Sequence, residues 1–341
     1  MKRALFAVGV LALACTSAAL ATKPGSGSPN GEARVFVPNP VQDLGNQDLT
    51  DQKDADYAAL QPAYRTVRLT NLDGSGFLRG DWAVIIGETG NPAYSPTNTF
   101  RFDRSQDEFE QVMAYYWITE AQRYIQFLGF RRGGPLPPVN EEPQRLRINQ
   151  FGVDNSFATD KKDEIRLGKG GVDDAEDGEV ILHEYGHAIH FAQDFQFSSE
   201  EAGAISEGFG DYWAVTVTQR VRALLGLPAS SDPACVADWD AVSYDPTAPH
   251  CLRRLDTGLT YPDDLVGEVH ADGRIWSQAL WAVRTAIGSE RADRAILLGQ
   301  FDFDGGSMPA LADEIVDAAD GLYGGVVAAQ VAAAFASRGI A

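Results

Sequence analysis

Two histidines four residues apart, His183 and His187, constrain this chain more than any other feature of its sequence. The pattern there is His-Glu-x-x-His, and apolar residues on both sides favour a helix that starts near Asp177. On a helix the two imidazoles lie one turn apart on the same face, where both can bind one Zn²⁺. Glu184 projects about 100° further round the helix, beside the metal, where its carboxylate can hold a water molecule. The local sequence therefore predicts a zinc-binding helix, with a pair of ordinary helix histidines as the alternative.

A zinc site that keeps one position open for water needs a third protein ligand. Glu207 and Asp211 are four residues apart on a second predicted helix, so they share one face of it. We expect Glu207 to bind the zinc ion and Asp211 to accept a hydrogen bond from the other ring nitrogen of His183. His190 lies one turn beyond His187 on the first helix, which cannot easily wrap around the same ion. We therefore interpret His190 as a supporting or packing residue.

The charge balance excludes some classes of partner. The 341 residues contain 28 Lys plus Arg against 48 Asp plus Glu, a net charge of −20. So acidic a chain is poorly suited to nucleic acid, whose phosphates need clustered Lys and Arg, or to an anionic membrane surface. Hydrophobic residues make up 44% of the chain, enough for the core of a folded globular protein.

The first 21 residues have the pattern of a secretory signal peptide. Lys2 and Arg3 precede an apolar run at 4–14, which is too short to span a bilayer, and a small-residue cleavage site ends at Ala21. The alternative is a lipoprotein signal in which Cys15 is acylated. No later run is apolar enough to span a membrane, so we expect a secreted protein, or one that is lipid-anchored through Cys15.

Cys235 and Cys251 are the two cysteines that remain after signal removal. Two cysteines in an exported protein are expected to pair, here across a loop rich in Asp, Pro and Ser. Two free thiols are the alternative.

The predicted elements divide the mature chain near residue 178. Residues 22–33 are rich in Gly, Ser and Pro and predict a flexible leader. Short strands separated by turn signals dominate residues 34–178, which we assign to a strand-rich N-terminal subdomain. Residues 179–341 are helical almost throughout and form the second predicted subdomain. The fold class is therefore α+β, with the zinc cleft between the two subdomains.

Two of the predicted helices have clear limits. The longest amphipathic segment before residue 178 spans 109–130 and has Gly129 near its end. The helix that carries Glu207 is predicted to start at Ser198, with Glu201 as its capping-box partner.

Several blocks of the sequence together resemble a known family. The His-Glu-x-x-His helix is followed, 20 residues after its second histidine, by Glu-x-x-x-Asp, which resembles the gluzincin arrangement of thermolysin-like peptidases. The blocks that most resemble the fungalysin family of secreted zinc metallopeptidases lie, in the family's order, at 33–41, 177–187, 206–211, 269–276 and 334–339. The resemblance implies a thermolysin-like zincin fold and covers nearly the whole mature chain.

The resemblance also implies roles for residues outside the zinc motif. His270 matches the family's non-ligand histidine, which donates a hydrogen bond to the oxyanion of the tetrahedral intermediate. Asn155 and Ser156 resemble part of an edge strand that pairs with extended substrate; a plain turn is the alternative. Arg253 matches an arginine that supports a substrate carbonyl, although its neighbour Arg254 fits nearly as well.

The sequence departs from the thermolysin-like pattern in several respects, including Ser206, which stands before Glu207 where thermolysin has Asn. Ser198 stands where those enzymes have a tyrosine that assists the oxyanion donor. The family's calcium sites are not matched cleanly either. An acidic run could hold Ca²⁺ through carboxylate oxygens, although a solvated turn is the favoured interpretation; it comprises Asp173, Asp174, Glu176, Asp177 and Glu179.

These patterns predict an exported zinc endopeptidase acting on polypeptides, in which Glu184 takes the proton of the attacking water. One alternative is a zinc-bound but proteolytically weak binding or inhibitory protein, motivated by Ser198. Another is an aminopeptidase, which needs a set of carboxylates for the substrate amine; no such motif lies near His183 in the sequence. The oligomeric state stays open.

Overall fold

A computed structural model describes residues 27–87, 90–245 and 247–340. The predicted signal peptide 1–21, including Cys15, lies outside the described residues. The predicted leader 22–33 is wrong at its C-terminal end, because the first strand starts at Gly31 and pairs with two other strands. Within the described part of the chain, no helix is long and apolar enough to cross a membrane.

Strands dominate the described chain before residue 178 and helices dominate after it. The first group comprises β1 (Gly31–Val35), α1 (Pro40–Leu44), β2 (Arg65–Leu69), β3 (Ala83–Gly87), β4 (Thr99–Phe100), α2 (Asp107–Leu128), β5 (Gln144–Arg147), β6 (Phe157–Thr159) and β7 (Glu164–Arg166). The second group comprises α3 (Gly178–Ala192), α4 (Glu200–Leu224), β8 (Cys235–Val236), β9 (Arg253–Arg254), α5 (Val269–Ile287), α6 (Ser289–Gly299), α7 (Met308–Tyr323) and α8 (Gly325–Ala336). The mixed α/β architecture with a helical C-terminal part agrees with the prediction.

The two larger sheets lie in the N-terminal part. A three-stranded sheet has the order β2-β1-β4, and a four-stranded sheet has the order β3-β5-β7-β6. In the second sheet β3, β5 and β7 are parallel, with buried Leu146 opposite buried Ile165 in the register. β6 runs antiparallel to β7 and forms the edge of this sheet.

The long helix α2 packs against both halves of the molecule. It spans 107–128, close to the predicted 109–130, and ends at Gly129, whose φ of 106° suits glycine. Its buried face includes Trp117 and Tyr124, and it contacts β1, β3, α3 and α4. The helix therefore supports the zinc-motif helix from behind.

Two glycines let α3 and α4 approach closely. A Cβ on Gly186 would lie 2.8 Å from the Cα of Gly210, and a Cβ on Gly210 would lie 2.7 Å from Nδ1 of His183. Any larger residue would push the helices apart. The glycines therefore lower intrinsic helix stability but bring the two helices within the span of one metal ion.

The predicted start of α4 is wrong by one residue. Ser199 is the N-cap, since its Oγ accepts a hydrogen bond from the backbone of Ala202. Ser198 instead donates to two carbonyls of the loop before α7, and Glu201 accepts from the backbone N–H of Met308. Long-range contacts with this loop thus replace the local capping box.

The disulfide prediction is confirmed, because Cys235 and Cys251 are bonded. The bond spans 16 residues and joins β8 to the segment just before β9. β8 and β9 pair in antiparallel fashion, with Val236 opposite Arg253. This small ribbon holds Arg253 next to the zinc-motif helix.

Glu164 on β7 is the buried centre of an ion-pair network in the four-stranded sheet. Its carboxylate lies 2.9 Å from Arg147, 3.0 Å from Arg166 and 3.2 Å from Arg145. Hydrogen bonds from Arg147, and then from Arg166 and Arg145, lower the pKa of Glu164 from its ordinary 4.5 to about 2. The charged carboxylate therefore stabilises the folded sheet.

We expect Glu164→Gln to lower the free energy of unfolding at pH 7 by about 1.5–3 kcal/mol, because charged hydrogen bonds are lost. The folded pKa lies below the unfolded one, so this contribution is present above about pH 4.5 and is lost as the pH falls towards 2. Denaturant unfolding of both proteins at pH 7 and pH 3 measures it. An equal difference at the two pH values would contradict the assignment.

Candidate metal centre

His183, His187 and Glu207 come together at the contact between α3 and α4. One potential ligand atom from each lies within 4.8 Å of the others. Nε2 of His183 is 3.2 Å from one carboxylate oxygen of Glu207, and Nε2 of His187 is 3.5 Å from the other. Two imidazole nitrogens and a carboxylate form a donor set that suits zinc with an open fourth position.

The other ring nitrogen of each histidine is held by a polar side chain. Nδ1 of His183 is 2.9 Å from Oδ1 of Asp211, and Nδ1 of His187 is 2.8 Å from Oγ of Ser206. These contacts fix both rings so that their Nε2 atoms face Glu207, as a metal ligand requires. The donor set and the orientation of the rings both fit a zinc ion.

The pKa values of His183 and His187 are shifted in opposite directions. Burial lowers the pKa of His187 to about 4, which keeps that imidazole neutral. Burial also acts to lower the pKa of His183, but hydrogen bonds to Asp211 and Glu207 raise it to about 10. A metal ion at this site therefore competes with a proton on His183, which makes its affinity depend on pH.

Ser206 contacts two histidines, which the sequence analysis missed. Its Oγ lies 2.8 Å from Nδ1 of His187 and 3.0 Å from Nδ1 of His190. With Nε2 of His187 as a ligand, its Nδ1–H donates to Ser206, whose own hydroxyl then donates to His190. His190 is stacked between Phe195 and Phe209, which places it behind the metal centre as a supporting residue. The sequence signal that could have indicated these contacts is the position of Ser206 directly before Glu207.

We expect Ser206→Ala to weaken zinc affinity about 10–100-fold, because His187 loses the partner that orients it. Competition with a chromophoric chelator measures this affinity. Ser277→Ala is the matched control, since Ser277 is a buried helix serine whose hydroxyl donates to a carbonyl of its own helix. Wild-type zinc affinity in Ser206→Ala would contradict the role of the serine.

Glu184 is buried beside this centre. Only 6% of the residue is exposed, and its Oε2 has no hydrogen-bond partner among the residues that the structure describes. Burial raises the pKa of Glu184 to about 7, with further upward contributions from Glu207 and Asp174. A carboxyl group that titrates near neutral pH is suited to proton exchange.

A cavity of about 590 Å³ opens over the metal centre. Asn155 and Ser156 line it where the edge strand β6 begins, and Ser156 donates a hydrogen bond to Asp174. The structure therefore brings both predicted substrate-binding residues to the cleft.

The side chains of Arg253 and Arg254 have different surroundings in the fold. Arg253 lines the cavity and donates two hydrogen bonds to the carboxylate of Asp211, at 2.7 and 2.8 Å. Arg254 instead pairs with Asp232 and Asp256. Only Arg253 is therefore placed to contact a molecule in the cavity.

His270 lies at the start of α5 and also lines the cavity. Its Nδ1 is 2.7 Å from Oε1 of Glu268, and its Nε2 is 3.5 Å from Oε2 of Glu207. The side chain is 55% exposed. Glu268, which the sequence analysis did not consider, thus orients the ring with Nε2 towards the metal centre.

The acidic run at 173–179 is not a solvated turn, and calcium binding by it stays a prediction. Its five acidic residues are buried. Glu176 pairs with Arg104, whereas Glu179 accepts a hydrogen bond from Thr218. The expectation of a solvated turn is wrong because contacts far along the chain hold these carboxylates in the interior.

One member of that run belongs to another acidic cluster. Carboxylate oxygens of Asp154, Asp174 and Asp240 lie within 4.8 Å of one another, and all three residues line the cavity. The sequence analysis missed this set because its members are far apart in the chain. We call these three residues the acidic pocket.

Comparisons with known proteins point to metalloproteinases. No protein-family profile matches the chain. The chain is 28% identical over 117 residues to the extracellular metalloproteinase mep of Aspergillus terreus, and this match covers 30% of the chain but only 17% of that relative.

A solved structure, the precursor of protealysin, a metalloproteinase from Serratia proteamaculans, is similar in fold. The TM-score is 0.53 at 16% identity, and the match covers 68% of this chain and 79% of the other. At this identity the likeness concerns the fold alone. Membership of the fungalysin family in particular stays a prediction.

Proposed function

We propose that this protein is an exported zinc metalloendopeptidase that hydrolyses internal bonds of polypeptides. The observation that carries the proposal is the convergence of His183, His187 and Glu207 beside the buried carboxyl of Glu184. Partial similarity to an extracellular metalloproteinase supports the reaction class. A disulfide between Cys235 and Cys251 supports export, since such bonds persist in oxidising compartments.

In this proposal, His183, His187 and Glu207 hold the zinc ion, while Asp211 and Ser206 keep both rings oriented. When bound there, zinc supplies Lewis acidity towards the attacking water and the scissile carbonyl. Glu184 accepts the proton of the attacking water and returns it to the leaving nitrogen. Burial supports this role, because raising the pKa of Glu184 to about 7 makes its ionised carboxylate a stronger base towards the water proton.

The oxygen of the scissile carbonyl gains negative charge as water attacks, and it needs a donor aimed at it. Glu268 accepts a hydrogen bond from Nδ1–H of His270, so Nε2 of His270 supplies that donor when the imidazole carries a proton on both nitrogens. Ser198 cannot share this role, since its hydroxyl is committed to two backbone carbonyls before α7. Side-chain support for the oxyanion therefore rests on His270.

Substrate orientation uses the edge strand and the arginine. An extended substrate can pair with β6, with Asn155 adding side-chain hydrogen bonds. Arg253, held by Asp211, can donate further to a substrate carbonyl. These contacts would align the scissile bond with Glu184.

The test is cleavage of an internally quenched, end-blocked peptide library by the mature protein. We expect internal cleavage that a zinc chelator abolishes and that added Zn²⁺ restores. Zinc binding without cleavage of any peptide would instead support a binding or inhibitory protein.

An aminopeptidase is the second candidate, and the acidic pocket favours it. An aminopeptidase needs carboxylates to bind the substrate amine, and the structure brings three of them into the cavity, contrary to the expectation from sequence. End-blocked peptides separate the two activities, because an aminopeptidase leaves them intact.

A further inference from the structure

The acidic pocket is assembled from three separate parts of the chain. Asp154 precedes β6, Asp174 precedes α3, and Asp240 follows β8. Asp174 is 2% exposed and Asp240 is 4% exposed. Asp154 is partly buried, and three charged carboxylates this close together repel one another, so the cluster costs stability unless a proton or a cation neutralises it.

The side chains that donate hydrogen bonds to these aspartates carry no positive charge. Ser156 donates to Asp174, and Tyr244 donates to Asp154 at 2.7 Å, but both donors are neutral hydroxyls. Among the described residues, none of the three aspartates forms an ion pair with Lys or Arg. Oδ1 of Asp174 and Oδ1 of Asp240 are buried without any hydrogen-bond partner in that part of the chain. Arg253 lies near enough to attract the charge of Asp240, but its hydrogen bonds go to Asp211.

Part of the cavity wall is apolar and suits the stem of a long side chain. Val180, Val236 and Leu252 line the same cavity as the aspartates and offer no oxygen ligand from their side chains. Lys and Arg pack their methylene stems on apolar surface while their charged heads reach polar partners. Ca²⁺, by contrast, takes about six to eight oxygen ligands.

The acidic pocket lies next to the reacting groups. All three aspartates line the same cavity as Glu184, His183 and His187. A side chain bound by the pocket would thus belong to a residue next to the bond being cut.

We propose that the acidic pocket is a specificity subsite that binds a Lys or Arg side chain flanking the scissile bond. This inference rests on the proposed endopeptidase function and names its preferred substrate class. It also requires the cationic group to be a side chain, not the free N-terminus that an aminopeptidase would bind.

The test uses end-blocked peptides that differ at one position flanking the scissile bond and carry Lys, Arg, norleucine or Glu there. We expect kcat/KM for Lys or Arg to exceed that for norleucine at least about tenfold, because norleucine leaves the buried carboxylates unpaired. Asp240→Asn and Asp174→Asn should each lower this ratio severalfold while still cutting the norleucine peptide. A change in the reactivity of Glu184 would alter kcat/KM for both peptides alike, so it cancels in the Lys-to-norleucine ratio of one variant.

Asp313→Asn is the control, since it removes one carboxylate from the exposed face of α7, outside the cavity. It should leave the Lys-to-norleucine ratio unchanged. Cleavage of blocked peptides with no preference for basic residues would overturn the subsite but leave the endopeptidase intact. An unchanged preference for Lys or Arg in both Asp240→Asn and Asp174→Asn would also overturn the subsite.

A binding experiment tests the subsite independently of turnover. Calorimetry with zinc-loaded Glu184→Gln should show tighter binding of the blocked Lys peptide than of its norleucine counterpart. Equal affinities for the Lys and norleucine peptides would overturn the subsite, whether or not any peptide is cleaved. Absence of cleavage would contradict the endopeptidase function, which is a separate result. Ca²⁺ binding that needs Asp240 and is not displaced by the Lys peptide would show a metal site instead. Binding that needs a free N-terminus would indicate an aminopeptidase.

Discussion

Replacement of Glu184 by glutamine is expected to lower kcat/KM by about 10²–10⁴-fold, the usual contribution of general acid–base catalysis. Glutamine keeps the size of the side chain but cannot accept a proton from water. Glu184 is not one of the residues whose atoms form the donor set, so the variant should keep its zinc. The loss should appear as a fall in kcat with normal folding.

The measurement combines peptide cleavage with zinc content by atomic absorption. Glu314→Gln serves as the control, because Glu314 lies on the exposed face of α7 and its loss should leave activity unchanged. Near-wild-type cleavage by zinc-loaded Glu184→Gln would exclude Glu184 as the general base. Loss of zinc from this variant would instead make Glu184 part of the metal site.

Replacement of Asp211 by asparagine is expected to weaken zinc binding about 10–100-fold and to lower folding stability by about 3 kcal/mol. Asp211 is buried and joins Nδ1 of His183 to the guanidinium of Arg253. Burial acts to raise the pKa of Asp211, but Arg253 and His183 lower it overall, so the group is charged. Asparagine removes that charge and leaves Arg253 without its partner.

Arg253→Met separates the effect on zinc affinity from the effect on folding stability. It keeps the contact between Asp211 and His183, so it should retain more zinc affinity than Asp211→Asn does. Denaturant unfolding and chelator competition on both variants measure the two quantities. Wild-type zinc affinity in Asp211→Asn, or an equal loss in both variants, would contradict the orienting role of Asp211.

Local sequence was informative wherever the helical period controls the outcome. The spacing of His183 and His187 already places both rings on one face, and the structure starts α3 at Gly178 with Asp177 as its N-cap. The same period predicted α2 to within two residues at each end. The Glu207–Asp211 spacing is likewise a property of one helix, and the structure turns that shared face towards His183.

Predictions that depended on neighbours distant in the chain were less successful. Ser198 was a reasonable cap by sequence, but the loop before α7 takes its hydroxyl and Ser199 caps the helix. The acidic run resembled a surface turn, but Arg104 and Thr218 hold two of its members in the interior. In each case a contact formed only on folding outweighed a weak local preference.

The sequence by itself determined the zinc-motif helix, the residues available to hold a metal and the cysteines available to pair, because these follow from spacing along one element and from chemistry. Only the tertiary structure decided that Ser206 joins two histidines, that Arg253 rather than Arg254 faces the cleft, and that three distant aspartates share one pocket. Helical period places side chains relative to their own axis, whereas the meeting of separate segments depends on how the whole chain packs.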